Sequence, residues 1–76
     1  MAKGYSVLTI QEIEESNPNL LGVKLGKICV QRDIPVKDVA EYFGVSRVTV
    51  YAWFRGKMVV SGKHVEKVQT LITKLS

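Results

Sequence analysis

The chain has 76 residues, 46% of them hydrophobic and 24% charged, the balance of one small globular domain and too short for two. That balance excludes a disordered or collagen-like chain, and no apolar run approaches the roughly 20 residues needed to span a bilayer. The net charge is +4. The start, Met1-Ala2-Lys3-Gly4, leads into no apolar core of a secretory signal, and a lone cysteine fits a reducing cytoplasm. With only Cys29 and His64 as soft ligands, neither a metal site nor a cofactor is expected.

The charge is distributed unevenly. Residues 1–38 carry equal numbers of acids and bases, whereas residues 39–76 hold six bases against Glu41 and Glu66. Between those two acids lies an acid-free stretch with Arg47, Arg55, Lys57 and Lys63. A one-sided positive field suits a polyanionic partner.

In chain order, residues 1–8 read as an N-terminal arm and 9–76 as a single domain. Tyr5 to Ile10 comes nearest to strand alternation, but helix is the better reading from Thr9 on. Thr9 with Glu12 forms a capping box, and Leu8 with Ile13 the matching hydrophobic staple, opening a helix that runs to about Ser16. Asn17 then caps a second helix with Pro18 at its first position. Its apolar stripe is Leu21, Leu25, Ile28 and Cys29, and it ends at Asp33-Ile34-Pro35, because the residue before proline avoids helical backbone.

A third helix covers about Val36 to Tyr42. Gly44 permits a sharp turn, and Ser46 caps a fourth helix that reaches Arg55 and stops at Gly56, with Val45 and Val50 as its staple. Ser61 caps a last helix, stapled by Val60 and Val65 and striped by Val65, Val68, Ile72 and Leu75. The fold class is therefore all-α, a small bundle of about five helices.

Residues 36–56 carry the informative pattern. A helix-turn-helix needs a small residue where its helices cross, a glycine in the turn and apolar residues at fixed offsets. Ala40 and Gly44 meet the first two needs, and Val39, Phe43, Val45, Val50 and Trp53 the third. The run Gly44-Val45-Ser46-Arg47-x-Thr49-Val50-Tyr51-x-Trp53-x-x-Gly56 resembles the Cro and lambda-repressor type of helix-turn-helix, a family common in phage and bacterial regulators. The resemblance extends over about residues 18–75. It implies a sequence-specific regulator of transcription that binds double-stranded DNA and places helix 46–55 in the major groove. A two-fold homodimer on paired half-sites is expected, with monomeric binding open because no segment is left over for a separate dimerisation domain.

At about 100° per residue, Val50, Trp53 and Phe54 point inward, Val48, Ala52 and Arg55 outward, with Arg47, Thr49 and Tyr51 on the flanks. The resemblance implies base reading from Arg47, Val48 and Ala52, and Thr49 joins them as a side chain able to donate to base or phosphate. Arg47 is the residue suited to fork onto guanine. Tyr51, Arg55, Lys57 and Lys63 are phosphate candidates, as are Lys37 and, beyond its capping role, Ser46. Cys29 is read as core, His64 as solvated, Trp53 as core rather than a stacking platform, and Glu12, Glu14 and Glu15 as favourable charges on the first helix. No nucleophile–base pair, phosphate loop or small-molecule site is evident, so no enzyme is expected.

Three positions depart from the family pattern. Valine stands at position 36, where the family often has a phosphate-contacting glutamine. Cys29 and Phe54 occupy the positions of a buried arginine–glutamate pair, which makes that contact apolar. Met58-Val59-Val60 is more apolar than a phosphate-tracking loop should be and suits a dimer interface. The alternative reading is a protein-interaction module of the same fold, using Val48, Ala52 and Tyr51 against a protein groove.

Overall fold

A computed structural model describes residues 5–76, and these form five α-helices and no strand. The helices are α1 (Val7–Glu15), α2 (Leu21–Gln31), α3 (Val36–Phe43), α4 (Arg47–Phe54) and α5 (Gly62–Leu75). The fold is thus the small all-α bundle expected, with differences at helix ends.

The first difference is at α1. Ser6, not Thr9, is the cap: the Thr9 N–H donates to Ser6 Oγ at 3.1 Å, and Ser6 Oγ donates to Thr9 Oγ1 at 2.9 Å. Thr9 thereby becomes the third residue of the helix, and Leu8 is 66% exposed, so it staples nothing to the buried Ile13. The reason lies just ahead of the cap. Tyr5 is buried, stacks on Phe54 at 6.5 Å and donates its phenol hydroxyl to the Ile34 carbonyl at 2.6 Å. That anchor fixes where the chain enters the helix, and the nearest hydroxyl caps it. Tyr5 therefore belongs to the core and Val7 and Leu8 to α1, while the first four residues of the expected arm lie outside the described residues.

Asn17 and Pro18 form a turn instead of opening α2 as expected. Asn17 Oδ1 accepts from the Asn19 N–H at 2.9 Å, and the Asn17 carbonyl from the Leu20 N–H at 3.2 Å. Asparagine at the start of a turn and proline at its second position satisfy that geometry well. Helix α2 then begins at Leu21 with no side-chain cap. It ends in a Schellman arrangement, with the Ile34 N–H on the Cys29 carbonyl at 2.9 Å and Asp33 in the left-handed region at φ 59°. At the last helix Ser61 holds the cap position, but its hydroxyl makes no capping bond; only its carbonyl accepts, from the His64 N–H at 2.9 Å.

The core is continuous, with Trp53, Phe54, Ile13, Leu25, Val23, Val50, Val68 and Cys29 wholly buried. Phe43 meets Trp53 edge-on at 5.6 Å between centroids. His64 is half-buried against these two rings, 5.5 Å from Trp53 and 6.0 Å from Phe43. It is a packing residue and not the solvated one expected, because the first turn of α5 lies directly on the aromatic core.

Helix α2 meets α4 through Gly22 and Gly26. A Cβ built on Gly22 would stand 2.5 Å from the Trp53 carbonyl oxygen, and one on Gly26 2.8 Å from Phe54 Cγ. The two glycines, one turn apart, let α4's backbone approach α2 closely.

Burial pushes the Cys29 thiol from 9.0 up to about 12, and burial, more than any nearby charge, pushes the Tyr5 phenol in the same direction. Both acids are held neutral in the folded state and ionise earlier when unfolded. Stability is therefore fully present below pH 9 and falls as pH rises from 9 towards 12. Urea titrations should show a flat free energy between pH 7 and 9, then a loss of up to about 1.4 kcal/mol per pH unit for each group. Cys29→Val should remove part of that slope, and a free energy still flat at pH 10.5 would refute the burial argument.

Candidate nucleic-acid interface

Helices α3 and α4 form the bihelical unit. Val36, Val39, Ala40 and Phe43 are the buried residues of α3, and Val50, Trp53 and Phe54 those of α4. Between them Gly44 adopts the left-handed conformation at φ 67°, and the Val45 N–H returns to the Ala40 carbonyl at 3.0 Å. A side chain at Gly44 would meet nothing within 4 Å, so the turn needs glycine for its backbone and not for space.

Ser46 starts α4 as expected, its Oγ accepting from the Thr49 N–H at 3.2 Å and lying 3.0 Å from Thr49 Oγ1. Both hydroxyls are thus engaged in the cap, although Ser46 itself is exposed. With three inward residues fixing the helix's rotation, the outward strip follows. Arg47 and Val48 are exposed, Val48 at 77%, and Thr49, Tyr51 and Ala52 are half-buried. Tyr51 also packs partly on the core, so only part of its surface is free.

The remaining cations are arranged less uniformly. Arg55 caps the end of α4 and turns back across the helix. Its Nη1 lies 3.5 Å from Glu12 Oε1, and its Nε donates weakly to the Tyr51 carbonyl at 3.4 Å. Lys57 is exposed in the following loop and lines a shallow, open pocket with Glu12, Glu15, Ser16 and Arg55. Lys37 and Lys63 are exposed on the first turns of α3 and α5, outside the α4 strip. The strip therefore unites Arg47, Val48, Tyr51 and Ala52, with Ser46 and Thr49 at its start, while Arg55 and Lys57 form a second group at its far end.

Two sets of contacts were not foreseen from sequence spacing. Ser16 Oγ lies 2.7 Å from the Arg55 carbonyl and 2.6 Å from the Glu12 carbonyl, so one hydroxyl proton joins α1 to the end of α4. Lys67 donates to the Tyr42 carbonyl at 2.8 Å and sits 4.4 Å over the Tyr42 ring, closing the carbonyl end of α3. The Ser16–Arg55 and Lys67–Tyr42 bonds span 39 and 25 residues, beyond the reach of any local pattern.

Among the described residues no group of three metal-ligating side chains occurs, and no helix is long and apolar enough to cross a membrane. A family model described as helix-turn-helix matches residues 25–71, well over half of the chain and all of the α3–α4 unit. The chain belongs to the Cro/lambda-repressor-type helix-turn-helix family. This family is one of DNA-binding regulators, and DNA binding is the general activity that membership carries. No curated protein and no solved structure matches the chain. The family segment begins inside α2, so Tyr5, Glu12, Ser16 and Gly22, which all brace the helix-turn-helix from outside, lie beyond it.

Proposed function

We propose that this helix-turn-helix protein is a sequence-specific transcriptional regulator of the phage or bacterial kind that inserts α4 in the major groove of double-stranded DNA. The observation that carries the reading is α4's outer strip, where a free arginine and a 77% exposed valine stand on a helix locked by Val50, Trp53 and Phe54. A rigid helix with an exposed donor and small apolar side chains suits base edges and thymine methyl groups. Arg47, Val48, Thr49 and Ala52 read bases in this proposal, and Lys37, Ser46, Tyr51, Arg55, Lys57 and Lys63 meet phosphates. The lysines set affinity and register, since phosphate contacts carry no direct sequence information.

The proposal includes a two-fold dimer. Met58 and Val59 are 48% and 74% exposed beside a groove of about 240 Å³ lined also by Leu20, Leu21, Val60 and Val65. An apolar edge next to the reading helix suits self-pairing that sets two α4 helices about 34 Å apart, one turn of DNA. The competing reading is a protein-binding module, which the exposed Val48 and Val59 favour.

Salt separates the two. Fluorescence anisotropy on duplex DNA should give a log–log slope of about −4 to −5 for five phosphate contacts, whereas a mainly apolar contact gives a nearly flat line. Lys57→Ala should weaken binding to all sequences alike and bring the slope about one unit closer to zero. A salt-independent affinity would remove DNA from the proposal and favour the protein partner.

A further inference from the structure

The pair Glu12–Arg55 joins the first helix to the end of the reading helix, and it stands beside a second, main-chain tie between the same two elements. Arg55 has two engaged nitrogens, Nη1 with Glu12 at 3.5 Å and Nε with its own helix at the Tyr51 carbonyl at 3.4 Å. A guanidinium carries five N–H donors in a fixed plane, so even two long contacts, at 3.4 and 3.5 Å, bias the direction of the remaining three. The backbone beneath is held as well, because Ser16 Oγ reaches the Arg55 carbonyl at 2.7 Å and the Glu12 carbonyl at 2.6 Å. Side chain and main chain of one residue are therefore tied to the same turn of α1. Both partners keep 34% of their side-chain surface, so the arginine is oriented without being buried.

We infer that Glu12 is a positioning residue for DNA binding, aiming the Arg55 guanidinium at a phosphate beside the far end of α4. The inference rests on the proposed DNA-binding function and deepens it by adding a residue from outside the family segment. The chemistry makes the claim unusual in sign. Glu12 and Glu15 line the same shallow pocket as Arg55 and Lys57, so two carboxylates lie beside the two cations. If Glu12 acted only through its charge, removing it would strengthen binding to a polyanion. If it orients Arg55, removing it weakens binding, because a long side chain set free must be ordered again on each association.

The test is a double-mutant cycle with Glu12→Ala, Glu12→Gln, Arg55→Ala and the Glu12→Ala/Arg55→Ala pair, read as affinity and salt slope on one duplex. Thermal melts establish that each variant is folded at the assay temperature. Glu12→Ala should weaken binding about three- to tenfold and bring the slope about one unit closer to zero, as Arg55→Ala does. Glu12→Gln, which keeps an acceptor for Nη1, should recover most of the loss. In the Arg55→Ala background, removing Glu12 should cost nothing further. Equal or tighter binding by Glu12→Ala overturns the positioning role, as does full additivity in the pair. Loss of binding in the wild type itself would instead overturn the proposed function on which the inference stands.

Discussion

Gly22→Ala is expected to lower the melting temperature by about 15 °C, the largest stability effect of any single methyl group in this protein. The new Cβ would stand 2.5 Å from the Trp53 carbonyl oxygen and 2.8 Å from both its carbonyl carbon and its Cβ. None of these is the movable end of a side chain, and Trp53 is wedged among Phe43 and His64. Helices α2 and α4 must separate, and with them the packing of Leu25, Val50 and Phe54. Overpacking of this kind costs about 1–3 kcal/mol or more, against a total of about 4–11 kcal/mol for a chain of this length. At roughly 4–8 °C per kcal/mol, a loss of about 3 kcal/mol is readily measured. Gly62→Ala is the control, because a Cβ there meets nothing within 4 Å and the backbone is already helical. A Gly22→Ala melt within about 2 °C of wild type would mean that the close approach of α2 to α4 does not hold in solution.

Arg47→Ala should produce the largest change in sequence preference. Arg47 begins the exposed strip of α4, where the first turn of a reading helix meets base edges. A bidentate arginine contact contributes about 1–3 kcal/mol of discrimination, so the variant should lose roughly 5- to 150-fold at one base position and little at others. Arg47→Lys should not restore it, since an ammonium lacks the planar fork. The measurement is affinity against a panel of duplexes with each base pair substituted in turn. A uniform loss across the panel would move Arg47 from base reading to phosphate contact.

The helix-turn-helix was legible because its determinants are local. Ala40, Gly44, Ser46 and the apolar offsets from Val39 to Trp53 lie within 15 residues, and each has one structural answer. Most of the errors fall where the deciding partner is distant, and one where local chemistry allows two answers. Thr9 and Ser6 are both good caps, and Tyr5, held by Ile34 across 29 residues, selects between them. Asn17-Pro18 fits either a helix start or a turn by its own chemistry, and the Asx bond to Asn19 settles it as a turn. Glycine inside a helical pattern reads as a mere weakness in the helix, so Gly22 and Gly26 gave no hint of the contact with α4. His64 could not be placed without knowing where α5 lies. Of the candidate site, α4's outward strip followed from helical periodicity, whereas the return of Arg55 to Glu12 depends on a contact 43 residues apart.

Whether α4 reads base sequence in duplex DNA is decided by selecting from a randomised duplex library with the purified protein at near-physiological salt. One motif should be enriched and bound at least about a thousandfold more tightly than random duplex, with Arg47→Ala relaxing a single position within it. Recovery of an unenriched library from a folded protein would mean that α4 does not read base sequence.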